Sequence, residues 1–235
     1  MTNSTNARLA GTTFLLYIAI GITDMIVTRG STAGDDVAQR LASVAQHLPQ
    51  VHAGMILGLA MGFCALTLGV ALYGLTREED HDLALLALCC RVGEGLAVFV
   101  PLLATIGLID LATSDAPTSG NSYAVADFLF KVRGWNVTVA ATFFAVGSTI
   151  FCWLLLRGRL IPISLAWLGV ISSVLLVIGL PLRMIGALSG ASTQLLWIPM
   201  AAFEIPLGVW LLIKGAAYPS RSPTHHFREH HVSND

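Results

Sequence analysis

The sequence predicts an all-α fold, a polytopic transmembrane bundle of six helices with short amphipathic interfacial helices in its outer loops. Three observations predict it. Apolar residues make up 55% of the 235-residue chain and charged residues only 11%, with a mean hydropathy of +0.74. An average soluble domain carries roughly a quarter charged residues, because water-facing surface needs charge and lipid-facing surface must avoid it. Six apolar stretches have about the ~20-residue length that crosses a bilayer core as helix. None alternates apolar and polar residues as a barrel strand does, and a lone segment in lipid satisfies its backbone only as a helix.

The spans are expected at residues 10–27, 51–75, 83–108, 137–156, 161–184 and 195–213. Arg8 ahead of the run Phe14 to Ile22 imitates a signal peptide. No small-x-small cleavage site follows and the run continues through Met25, Ile26 and Val27, so it reads as a retained first span. Between spans 1 and 2, Gly34-Asp35-Asp36 starts a helix, with two acids near the positive end of its dipole. Val37, Leu41, Val44 and Leu48 recur at helical spacing and make it amphipathic, either packed over the bundle or acting as a lid. Ahead of span 4, turn-forming residues 114–122 lead into 123–135, read as a second interfacial helix carrying Asp127, Lys131 and Arg133. Trp135 and Trp197 suit one membrane interface, Trp153 and Trp210 the other. Residues 1–215 form the membrane domain, and 216–235 a polar, disordered cytoplasmic tail with His225, His226, His230 and His231.

Orientation follows from the loop cations. Arg8, Arg77, Arg157, Arg159, Lys214, Arg221 and Arg228 fall on one side; Arg29, Arg40, Lys131 and Arg133 fall on the other. Seven against four favours a cell-membrane protein with both termini in the cytoplasm.

Function classes thin out quickly. The net charge is −1 and there is no basic arm or stripe, so nucleic acid is not an expected partner. Cys64, Cys89, Cys90 and Cys152 all lie in apolar runs and read as small core residues, with no disulfide framework and no metal-ligand spacing. The tail histidines lack thiolates or a structured scaffold, so no metal site is expected. No GxSxG elbow, HExxH helix or P-loop is present, and no histidine pair sits at mid-depth for a haem. The reading therefore leans away from an enzyme and names no cofactor. Asn136-Val137-Thr138 matches a glycosylation sequon, discounted because it lies at a span edge.

The informative residues are ionisable ones inside the spans, each costing at least ~2.5 kcal/mol at the bilayer centre on insertion scales. Depth counting puts Glu94 and Glu204 near mid-membrane, with Arg91 one turn from Glu94 on the same face. Asp24, His52 and Arg183 form an outer polar layer. Two acids against one base need a proton, a cation, a ligand or water as compensation. Prolines reinforce the location: Pro206 strands the Ala202 carbonyl beside Glu204, Pro181 lies two residues from Arg183, and Pro101 lies in span 3. Gly54, Gly58 and Gly62 clear one face of span 2 for close approach by another backbone, in this chain or in a second copy.

Five stretches in order also resemble a known family: Arg8-Leu9-Ala10-Gly11, Leu72-Tyr73-Gly74-Leu75, Arg91-Val92-Gly93-Glu94, Ile161-Pro162 with Leu168-Gly169, and Phe203-Glu204 through Trp210 to Gly215. The chain resembles the mostly bacterial multi-pass membrane proteins catalogued as domain of unknown function number 4386. Arg91, Glu94 and Glu204 match charged positions of that pattern; no match is assigned to Asp24 or Arg183, and the His-rich tail looks peculiar to this chain. The resemblance implies six spans and a cell-membrane location, and no activity.

The leading functional expectation is a carrier or receptor for a small molecule or lipid, with Arg91, Glu94 and Glu204 as ligand or proton site. One glutamate would take up a proton or face a cationic group, and Arg91 would hold its partner or bind an anion. The rival is a membrane scaffold whose buried charges only assemble the helices, with Gly54, Gly58 and Gly62 joining a second subunit. A lipid-active enzyme comes third.

Overall fold

The computed structural model describes residues 2–114, 120–188 and 194–217, all in helices, turns and short connections. The helices are α1 (Asn3–Val27), α2 (Val37–Gln46), α3 (Leu48–Thr76), α4 (His81–Ala97), α5 (Phe99–Thr113), α6 (Gly120–Arg157), α7 (Ile163–Met184) and α8 (Trp197–Ile213). Local signals start several of them. The Thr2 hydroxyl accepts the Thr5 amide, Asp36 accepts the Gln39 amide at 2.7 Å, and Asp80 accepts the Leu83 amide at 3.1 Å. Each supplies an acceptor for an amide that the first helical turn leaves without one.

Five segments among the described residues are long and apolar enough to cross a membrane: α1, α3, α4 with α5, α6 and α7. Leu16, Ile56, Leu103, Ile178 and Ile198 point outward and exposed. Apolar surface on that scale belongs in lipid, and the chain is an integral multi-pass membrane protein. The sixth expected span is shorter than the others, because a turn at Leu196 leaves α8 with 17 residues. That is the lower end of what crosses a bilayer core.

The expected third span is a jointed rod. Pro101 has no N–H, so the Ala97 carbonyl loses its helical donor, and α4 passes into α5 at Val98. The Asn136 side-chain amide fills the gap, donating to the Ala97 carbonyl at 2.6 Å. The segment 123–135 is not a separate interfacial helix. It runs unbroken into the fourth span, giving one helix of 38 residues, since nothing from 123 to 157 blocks a helical hydrogen bond and Gly134 alone does not end a helix. The first expected surface helix forms over Val37–Gln46, while Leu48, read as part of it, starts α3; α2 buries Leu41 and Val44 against Val51, Leu108, Ala126 and Phe130. The Arg40 guanidinium lies 3.8 Å from the centre of the Phe130 ring. α2 thus packs over one end of the bundle.

The spans close into a ring, α1–α3–α4/α5–α6–α7–α8 and back to α1, each packed on its neighbours. Small residues make the crossings tight. A Cβ on Gly11 of α1 would sit 2.6 Å from the Gly208 carbonyl oxygen of α8. One on Gly69 of α3 would sit 2.7 Å from Cβ of Arg91 in α4. The clearance along Gly54, Gly58 and Gly62 is used inside the chain, against Thr28 and Asp24, Leu102, and Phe99 with Gly95 respectively. Cys64, Cys90 and Cys152 are core residues as expected, whereas Cys89 faces outward. The tail histidines lie outside the described residues.

Candidate functional site

The charged layer forms around α4. Arg91 and Glu94 lie three residues apart on one helix face, and Arg91 Nη1 donates to Glu94 Oε2 at 2.7 Å. Both side chains are almost wholly buried, at 1% and 2% exposure. The other carboxylate oxygen accepts from the Tyr17 hydroxyl of α1 at 3.0 Å. Arg91 is further held over the Phe144 ring of α6, 4.7 Å from its centre, a cation–π contact. Its Nε and Nη2 make no hydrogen bond. The stem of the Arg91 side chain has room because Gly69, and farther off Gly147, face its Cβ and Cγ without side chains.

Glu204 enters from α8 on the other side of the ring. Arg91 and Glu94 are its charged neighbours and Cys152 lies beside it. It is 9% exposed, and its Oε1 is sealed from solvent with no hydrogen-bond partner. The Arg91 charge is matched by Glu94, which leaves Glu204 as the acid without a counter-ion.

Glu94 and Glu204 line a cavity of about 680 Å³ that runs inside the ring toward the α2 end. Helical periodicity sets its walls. Tyr17, Gly21 and Asp24 line it from α1; Val51, Gly54, Met55, Gly58 and Met61 from α3; Glu94, Val98, Pro101, Leu102 and Thr105 from α4 and α5. Arg133, Asn136, Val137, Ala140, Ala141 and Phe144 line it from α6, and Trp197 with Glu204 from α8. These spacings of three, four and seven residues keep one face of each helix inward. The walls are mostly apolar. Among their polar groups, the Asn136 amide is committed to Ala97 and the Thr105 hydroxyl to the Pro101 carbonyl.

Of the outer layer read from sequence, Asp24 lines the cavity, with Arg133 of α6 as its electrostatic neighbour. His52 is exposed on α3 and does not line it, nor does Arg183 near the end of α7. Trp197 is not purely a membrane-interface residue: it lines the cavity and packs on Phe144, ring centres 5.9 Å apart. Sequence reading passed over Tyr17, Phe144 and Gly69. The signal for Tyr17 was a polar hydroxyl in an apolar span at the depth of Glu94. Among the described residues no group of histidine, cysteine or carboxylate side chains is arranged to hold a metal.

No curated protein and no solved structure matches the chain. A family model described as "Domain of unknown function (DUF4386)" matches residues 9–215, which take in every span and all three charged residues of the middle layer, and the chain belongs to that family.

Proposed function

We propose that this chain is a receptor or carrier that takes a small amphiphilic molecule or lipid into the cavity between its spans. The observation that carries the reading is a largely apolar cavity of about 680 Å³ with a buried, unpartnered carboxyl at its inner part. Ligand sites have this size and this mixture of apolar wall and few polar groups. In this reading the protein sits in a cell membrane with both termini in the cytoplasm, following the loop cations. The cavity then extends toward the outer face.

Gly21 allows a direct test. A Cβ there meets only Met61 Cε, at 3.8 Å, so a leucine projects into the cavity without striking backbone. Native mass spectrometry of the purified protein should find a bound mass on the natural chain that Gly21→Leu loses while keeping its melting temperature. An unliganded natural chain, or a bound mass that survives in Gly21→Leu, counts against the reading.

The scaffold reading has one observation in its favour. Arg91, Glu94 and Tyr17 bond to one another across α4 and α1, as charges that only assemble helices would. It predicts that filling the cavity stabilises the protein and displaces nothing.

A further inference from the structure

We propose that the cavity binds an organic cation, an ammonium group on an apolar body, and that the ammonium takes the place of a proton on Glu204. This rests on the cavity being a ligand site and names the chemistry it selects. Three observations carry it.

The first is the balance of charge. Among the cavity-lining charges and the Arg91 behind them, Glu94 is bonded to Arg91, and Asp24 of α1 lies in the field of Arg133 of α6 without an ion-pair contact. Three carboxyls against two guanidiniums leave one acid in excess, and Glu204 is the more deeply buried of the two without an ion-pair contact. Among the described residues the cation beside it is Arg91, already bonded to Glu94: α1 brings Tyr17 and Asp24, with Arg8 near its start, α4 brings Arg91 and Glu94, and α6 brings Cys152 and, farther out, Arg133. The ionisable residues of α3 and α7, His52 and Arg183 aside, are Cys64 and Tyr73, and Asp110 of α5 is exposed at the far end of its helix.

The second is that no described residue donates to the Glu204 carboxyl, whose side chain is more than nine-tenths buried, with Oε1 sealed, and lines the cavity. A buried carboxyl without donors is costly, and an ammonium supplies both donors and charge. The third is the wall. Trp197, Phe144 and Tyr17 line the same cavity, and aromatic faces attract cations; the methionines Met55 and Met61 offer soft, adaptable packing for an apolar body.

The exchange balances. Glu204 in its acid form gives its proton to water in the cavity; the carboxylate accepts hydrogen bonds from the R–NH3+ group; one proton leaves as one cation enters. The layer therefore carries the same charge before and after, which suits a site at that depth. An anionic ligand would place a further negative charge beside Glu94 and Glu204, and a neutral alcohol would gain no charge pairing.

The test uses the full-length protein in nanodiscs of zwitterionic lipid and three probes of one shape: 4-phenylbutylamine, 4-phenylbutan-1-ol and 4-phenylbutanoate. Calorimetry should show the amine binding at least tenfold more tightly than the other two. It should release protons, approaching one per amine bound as the pH is lowered, read by repeating the titration in buffers of different ionisation enthalpy. Because the proton competes, amine affinity should weaken as the pH is lowered, by up to about tenfold per pH unit. Glu204→Gln should lose the amine preference, and Gly21→Leu should lose all binding. An alcohol that binds as tightly as the amine, amine binding without proton release, or undiminished amine binding in a folded Glu204→Gln would each overturn the inference. If the alcohol or carboxylate binds, is blocked by Gly21→Leu, and the amine does not bind, the cavity stands as a ligand site and the cation assignment falls. If none of the three binds and no mass co-purifies with the natural chain, both fall.

Discussion

The Asn136 amide and the Ala97 carbonyl, 39 residues apart in sequence, share a 2.6 Å hydrogen bond that α6 lends to the joint between α4 and α5. Pro101 leaves that carbonyl without its helical donor, so a side chain from another span supplies one. Two consequences of the fold meet here. The joint sits beside the cavity, and Val98, Pro101 and Asn136 all line it. Asn136 therefore holds the bend that shapes one cavity wall.

Asn136→Ala should cost about 1–3 kcal/mol, the penalty for stranding a buried carbonyl. The penalty should shrink in a Pro101→Ala background, where a backbone N–H is restored to Ala97. Melting temperatures of the four proteins in one detergent check this, and a penalty of equal size in both backgrounds would contradict it.

Glu94→Gln should be the most damaging change in the charged layer, by about 3–5 kcal/mol, because it leaves the buried Arg91 without its counter-charge. Adding Arg91→Met should recover part of the loss, since the uncompensated charge goes with it. Tyr17→Phe removes one hydrogen bond to the carboxylate and should cost about 1.5–3 kcal/mol. Monodispersity and melting by fluorescence size-exclusion rank the variants.

Glycine positions separate into crossings and free faces. Gly11→Val and Gly69→Val should each destabilise by about 1–3 kcal/mol, since the new side chain meets the Gly208 carbonyl or Arg91 within van der Waals distance. A Cβ at Gly134 meets nothing within 4 Å, so Gly134→Ala should stabilise α6 by about 0.5–1 kcal/mol. Matched thermal melts decide, and a stable Gly11→Val would mean that α1 and α8 are farther apart than described.

Asp80 does two jobs at the start of α4. It caps the Leu83 amide at 3.1 Å and meets Arg157 at 3.3 Å. Asp80→Asn keeps a capping oxygen and loses the charge, so it should cost under about 1 kcal/mol, as half-exposed ion pairs are weak. Asp80→Ala loses both and should cost about 1 kcal/mol more. Equal losses in the two variants would assign the stability to the ion pair instead of the cap.

Much of this was legible in the residues before any coordinates. The apolar runs located the spans, Asp36 and the Val37, Leu41, Val44 spacing located α2, and the Arg91-to-Glu94 spacing predicted their pairing. The long α6 was not legible as one helix, because polar residues at 127, 131 and 133 resemble a membrane surface when read alone. His52 and Arg183 shared a depth with Asp24 but not a direction, and depth is all that counting along a span provides.

The sequence by itself determined the membrane class, the extent of most helices and the ion pair within α4. Those depend on composition and on neighbours three or four residues apart, which helix geometry brings together without help. Only the tertiary structure decided that Tyr17 and Glu94, 77 residues apart, bond to each other. It alone decided that Gly54, Gly58 and Gly62 face helices of the same chain, and that Glu204 lines a cavity without a partner. A void and an unpartnered group are differences between the space a ring of helices encloses and the side chains that fill it, and that difference exists only once the ring has closed.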